Sequence, residues 1–84
     1  MMSKELAEQV RADVKLFREV QERFLQTYKQ LCLHHGGPEW KKKHIDKVFH
    51  EVRDEVIPIM EELGMDNKAV QALCSWAEKL VMTQ

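Results

Sequence analysis

The sequence predicts an all-α protein, an elongated up-down-up bundle of three helices in a single helical domain over residues 1–84. Apolar residues recur three and four positions apart along the chain, which is the spacing of an amphipathic helix and not of a strand. Residues that break helices cluster at 34–38 and at 63–67, and one more proline, Pro58, lies between the clusters. The length of 84 residues fits one small domain. These breaks therefore divide the chain into three helical segments.

The first predicted helix spans residues 3–34. Ser3 is a suitable N-cap, and the glycine pair Gly36-Gly37 ends the helix. At 100° per residue its apolar side chains form one stripe about 140° wide, which is wider than a two-helix seam needs. The stripe consists of Leu6, Ala7, Val10, Val14, Phe17, Val20, Phe24, Leu25, Tyr28, Leu31 and Cys32.

The second predicted helix spans residues 38–64. Gly37 can cap it, and Pro38 suits the first helical position, where its missing N–H costs nothing. Its apolar residues alternate four and three apart, which is a heptad seam suited to shallow crossing angles. The seam consists of Ile45, Phe49, Val52, Val56, Ile59 and Leu63. Because Pro58 removes a hydrogen bond inside this helix, we expect a kink at Pro58.

The third predicted helix spans residues 66–83, with Asp66 as its N-cap. Its apolar stripe is about 160° wide and must cover two neighbours. The short turns favour antiparallel neighbours, and this gives the up-down-up arrangement.

The predicted helices differ in length, at about 47 Å for the first and about 26 Å for the third. We therefore expect the third helix to begin beside the N-terminal end of the first and to reach only the level of about Phe24 to Gln26. The hairpin end, defined here as residues 28–45, would then have no third neighbour, and dimerisation could complete the bundle there. Its apolar residues would be exposed, and these are Tyr28, Leu31, Cys32, Leu33, Trp40 and Ile45.

The composition excludes several classes of protein. The net charge of -1 gives no overall attraction to nucleic acid or to an anionic membrane. The sequence has no apolar run long enough to cross a membrane, and its two cysteines are too few for a disulfide scaffold. Because no apolar signal-peptide core follows the charged start, we expect no secretory leader. We expect an intracellular protein of the cytoplasm, a reducing compartment.

Two groups of polar residues could carry chemistry. The histidines all lie between His34 and His50, but no subset with Cys32 matches a zinc spacing, so we expect no metal ligands and no cofactor. Asp46, His50 and Asp54 follow one helix face, but no nucleophile has a matching spacing. We therefore expect no catalytic residues and no enzymatic activity.

The hairpin end combines aromatic anchors with a basic rim, which is typical of a binding surface. The predicted contact residues are Tyr28, Leu31, Leu33, Trp40, Lys41, Lys42, Lys43 and Ile45. The sequence thus predicts a regulatory or adaptor protein that binds an acidic or helical protein partner, or a second copy in a homodimer. The alternative is a nucleic-acid or phosphate binder that uses the basic segment 40–47.

Overall fold

The computed structural model describes residues 3–83 and contains four helices in that range. They are α1 (Lys4–Gly36), α2 (Trp40–Lys43), α3 (Ile45–Glu62) and α4 (Asn67–Thr83). The described residues contain no strand, and α1, α3 and α4 all pack against one another. The predicted all-α bundle is confirmed.

The ends of α1 follow the predicted capping. The Ser3 hydroxyl accepts a hydrogen bond from the Leu6 backbone N–H at 3.2 Å. At the other end the Gly37 N–H donates to the Leu33 carbonyl at 2.9 Å, and Gly37 has a φ of 75°. Glycine adopts this left-handed conformation at little cost, so Gly37 lets the chain leave the helix.

The prediction of one helix over residues 38–64 is wrong, because His44 separates the single turn α2 from α3. His44 has φ −136° and ψ 35°, outside the helical region. The break lets Trp40 enter the core, where its ring centroid lies 5.7 Å from that of Phe49. Burial of a tryptophan side chain outweighs the helix propensity of the few residues around the break.

The end of α3 and the start of α4 agree closely with the boundaries that the sequence predicts. Helix α3 continues through Pro58 to Glu62, and the kink remains a prediction. Gly64 has a φ of 93° in the turn that follows. The Asp66 carboxylate accepts from the Lys68 N–H at 3.2 Å, as expected of an N-cap.

The core lies between the C-terminal half of α1 and the inward faces of α2, α3 and α4. Its buried apolar residues are Phe24, Leu25, Tyr28, Cys32, Trp40, Val48, Val52, Val56, Val70, Leu73, Cys74, Ala77 and Val81. Each of these residues is buried because its helix turns an apolar stripe toward two neighbours. The N-terminal half of α1 contributes no residue to the core.

The predicted axial position of the last helix is wrong. Helix α3 has 18 residues, about 27 Å, so the turn after it lies beside the middle of α1 and not beside its start. Met65 and Ala69 accordingly lie next to Phe17 and Val20, and Val81 lies next to Leu33. The part of α1 that lacks neighbours is therefore its N-terminal half.

Replacing Gly36 with alanine should destabilise the protein by about 2 kcal/mol, by overpacking. A Cβ at this position would meet Trp40 Cβ at 2.3 Å and Val48 Cγ2 at 2.5 Å. Glycine to alanine in a helix is ordinarily stabilising by roughly 0.5–1 kcal/mol, so the sign itself tests the close contact. Urea unfolding measures the change. Gly37→Ala is the control, because a Cβ at position 37 would meet nothing within 4 Å and any loss of stability there would come from the positive φ alone. A Gly36→Ala variant as stable as the parent would contradict this packing.

Candidate protein-interaction surface

The N-terminal half of α1 carries an uncovered apolar surface, which we call the α1 face. Its members are Leu6, Val10, Val14, Leu16, Phe17 and Val20, and each is between 42% and 61% exposed. All of them except Leu16 belong to the same stripe that forms the core farther along the helix. Soluble proteins seldom leave such a contiguous row uncovered unless it binds something.

The α1 face continues into a groove of about 620 Å³ between α1 and the first turns of α4. Phe17 and Val20 form one wall, and Ala69, Ala72 and Trp76 form the other. The two alanines leave room for another backbone to approach closely. The groove therefore extends the α1 face toward the body of the bundle.

A second groove, of about 420 Å³, lies about one heptad farther along the same side of α1, against α3. Val20 lines both grooves, and Phe24, Leu31, Ile59 and Met60 line the second one. Val20 thus connects the α1 face to both grooves.

Charged residues flank the α1 face unequally. Lys4, Arg11 and Arg18 follow one another at intervals of seven along one edge, and all are exposed. We call them the basic row. None of the three has an ion-pair partner among residues 3–83. The opposite edge contains Leu6, Asp13 and Val20 and is mainly apolar.

A polar cluster around Tyr28, farther along α1, fixes how α1, α3 and α4 fit together. Arg53 on α3 donates to both carboxylate oxygens of Glu78 on α4, from Nε at 2.6 Å and from Nη2 at 2.8 Å. The Tyr28 hydroxyl on α1 donates to Glu78 as well. Arg53 also donates to Gln71 at 2.7 Å and to Ser75 at 3.0 Å. This set of bonds specifies one register for the three helices.

The cluster shifts the pKa values of its members. Burial raises the pKa of the Tyr28 hydroxyl above its ordinary value of 10.0, and the bond to Glu78 raises it further. The hydrogen bond to Glu78 raises the pKa of Arg53. Among residues 3–83 no buried side-chain nitrogen or oxygen lacks a hydrogen-bond partner, so we interpret the cluster as structural.

The structure distributes the predicted contact residues between the core and the surface. Tyr28 and Trp40 are buried, with 0% and 4% of their surfaces exposed, and Cys32 is also fully buried. Their predicted exposure is wrong because α4 extends far enough to cover them. Leu31 and Ile45 are half-buried, and Leu33 is exposed.

The three lysines of the hairpin end, Lys41, Lys42 and Lys43, lie exposed on the single turn α2. Lys41 Nζ sits 5.6 Å from the centroid of the Trp40 ring, and Lys42 pairs with Glu39 at 3.7 Å. Such exposed pairs contribute little energy. The buried Trp40 and these lysines therefore do not form the aromatic anchor with a basic rim that the sequence predicts.

The histidines show no metal-binding arrangement. His35 lies between two carboxylates of α3, with Nδ1 3.4 Å from Glu51 and Nε2 2.7 Å from Glu55. Within residues 3–83 no set of three histidine, cysteine, aspartate or glutamate side chains could hold a metal ion. In the same range no helix is long and apolar enough to cross a membrane.

Sequence reasoning identified the stripe that contains the α1 face but not its exposure. Periodicity places Val10, Val14 and Phe17 on one side of a helix and says nothing about which part of that side a neighbour covers. The position of the surface depends on the break before Ile45, which sets how far α3 and α4 extend along α1 and has no local signal in the sequence.

No protein-family model matches the chain, and no curated protein or solved structure is significantly similar to it.

Proposed function

We propose that the protein is a small helical protein-interaction module, with a regulatory or adaptor role, that binds through the α1 face and the grooves beside it. The observation that supports this most directly is the row of exposed apolar side chains on a helix segment without a neighbour. A partner helix laid on this row would bury the exposed parts of these side chains. At about 25 cal/mol per Å² of apolar area, that burial is a substantial driving force for association.

The proposal places the contact surface at the opposite end of α1 from the hairpin end. It retains the class of function that the sequence suggests, a protein that binds a partner or a second copy of itself. A cytoplasmic location fits the proposal, since both cysteines, Cys32 and Cys74, are free thiols.

Replacing Phe17 with aspartate should abolish binding at this surface, because it places a charge in the centre of an apolar contact. Phe17 is 59% exposed, so the fold itself should lose little stability. Sedimentation velocity and recovery of the proteins that co-purify with the tagged chain measure the effect. Circular dichroism confirms that the helices persist.

The matched control is Leu33→Asp, which makes the same kind of change at an exposed residue of the hairpin end. Loss of binding with Phe17→Asp alone is the expected pattern. Loss of binding with Leu33→Asp alone would indicate that the contact surface is the hairpin end. Binding and mass unchanged in both variants would contradict the proposal.

A further inference from the structure

We infer that the α1 face receives an amphipathic helix of a different protein that carries acidic residues along one edge, and that the basic row selects this helix. The inference rests on the proposed function and adds the chemistry of the partner. It follows from which occupants the shape and the charges of the α1 face admit.

A helix is the occupant that fits the shape of the surface. The exposed apolar residues Val10, Val14 and Phe17 are spaced four and three apart, which is the spacing of a seam between two helices. The face from Leu6 to Val20 is about 21 Å long, equal to two heptads. An incoming helix can continue past Phe17 into the groove bounded by Ala69 and Ala72.

A second copy in parallel orientation is blocked by the bundle itself. The stripe that faces outward at Val14 and Phe17 is covered by α3 and α4 from Phe24 onward. In a parallel pair, the C-terminal halves of the two α1 helices would lie side by side. The second α1 would then collide with α3 and α4 of the first copy, which already cover that side of the helix.

A second copy in antiparallel orientation is opposed by charge. In that arrangement corresponding edges of the two helices face each other, so each basic row would lie beside the other. Arg11 would face the partner's Arg11, and Lys4 would face the partner's Arg18. A shift of register does not relieve this, because the edge contains only Lys4, Arg11 and Arg18 between residues 4 and 18. Like charges held this close are destabilising.

The same edge attracts an acidic helix. Glu8, Lys15 and Glu22 form the next row outward, one position farther from the apolar seam than the basic row, and Lys15 offsets part of the charge of the two glutamates. A partner helix with glutamate or aspartate at intervals of seven would place a carboxylate opposite each member of the basic row. Such pairs add modestly to affinity but strongly to the choice of partner.

Two stapled synthetic helices test this inference. Both carry leucine and valine at the seam positions, and one has glutamate on the edge that meets the basic row while its twin has lysine there. The parent protein should bind the glutamate helix about tenfold more tightly at low salt, on the scale of several exposed charge pairs. Fluorescence anisotropy gives both affinities, and high salt should reduce the difference because it screens exposed charges.

A charge-reversed protein provides the complementary test. The variant Lys4→Glu, Arg11→Glu and Arg18→Glu should prefer the lysine helix, reversing the order of affinities. The matched control is Lys42→Glu, Lys43→Glu and Lys47→Glu, which changes the net charge equally in the basic segment 40–47 and should keep the parent's preference.

The remaining outcomes separate the two proposals. Equal binding of both helices to the parent protein would overturn the role of the basic row and leave the proposed function intact. A parent protein that is dimeric in sedimentation and becomes monomeric as Phe17→Asp would overturn the inference in favour of a second copy. Failure of both helices to bind the parent would overturn the inference and the proposed function together.

Discussion

Replacing Glu78 with alanine should lower the free energy of unfolding by about 3 kcal/mol, the largest loss we expect from one side chain outside the apolar core. The carboxylate accepts hydrogen bonds from Arg53 and from the Tyr28 hydroxyl, and these bonds join all three long helices. Without it, the Tyr28 hydroxyl is left in the core with no acceptor. Arg53 keeps only Gln71 and Ser75 as partners.

The expected loss is below the full cost of breaking a deeply buried ion pair. The side chains of Arg53 and Glu78 are 25% and 15% exposed, so water screens part of the lost attraction. Urea unfolding at neutral pH measures the change.

Glu55→Ala is the control for this substitution, since it removes a carboxylate that contacts His35 at the surface and should cost less than about 1 kcal/mol. Adding Tyr28→Phe to Glu78→Ala should recover part of the loss, because the unpaired hydroxyl is then absent. A Glu78→Ala variant as stable as Glu55→Ala would show that the cluster does not hold the helices in register.

The fold class follows from the sequence because it depends on periodicity, which is a local property of the chain. Val52 and Val56 of the predicted heptad seam are buried in α3 together with Val48, whereas Ile59 and Leu63 at the C-terminal end of the seam are 52% and 75% exposed. The caps at Ser3 and Asp66 are likewise determined by a few neighbouring residues. These features need no knowledge of the tertiary arrangement.

The break before Ile45 could not be predicted in this way. Residues 39–44 contain neither glycine nor proline that would signal a break. The break at His44 between α2 and α3 forms because Trp40 packs against Phe49 and beside Gly36 in the core. This is a tertiary effect that overrides local propensity. The long helix that packs on α1 starts at residue 45 and not at 38, so it is about 10 Å shorter at this end than predicted. The uncovered surface therefore lies around Phe17 and not, as predicted, around Tyr28.

The stability of the protein should fall steeply in alkaline solution, starting near pH 9. Burial raises the pKa of the Cys32 thiol to about 12 from an ordinary value of 9.0, and burial also raises the pKa of Cys74. The folded chain therefore holds these protons more tightly than the unfolded chain does. The stabilisation from Cys32 is complete below pH 9, and it is lost at about 1.4 kcal/mol per pH unit as the pH rises toward 12. Cys74 acts in the same direction.

Urea unfolding at pH 8, 9.5 and 10.5, in the presence of a reductant, measures this loss. The raised pKa of Tyr28 adds a further loss of stability above pH 10, since 10 is the ordinary pKa of its hydroxyl.

The control is the double variant Cys32→Ala and Cys74→Ala, which should be less stable at pH 8 because it leaves small cavities. Its stability should nevertheless change much less between pH 8 and 9.5, since the thiols that release protons on unfolding are gone. Equal stability of the parent protein at pH 8 and pH 10.5 would mean that the two thiols are not held in a dry core, and the packing of α4 against α1 would have to be looser than described.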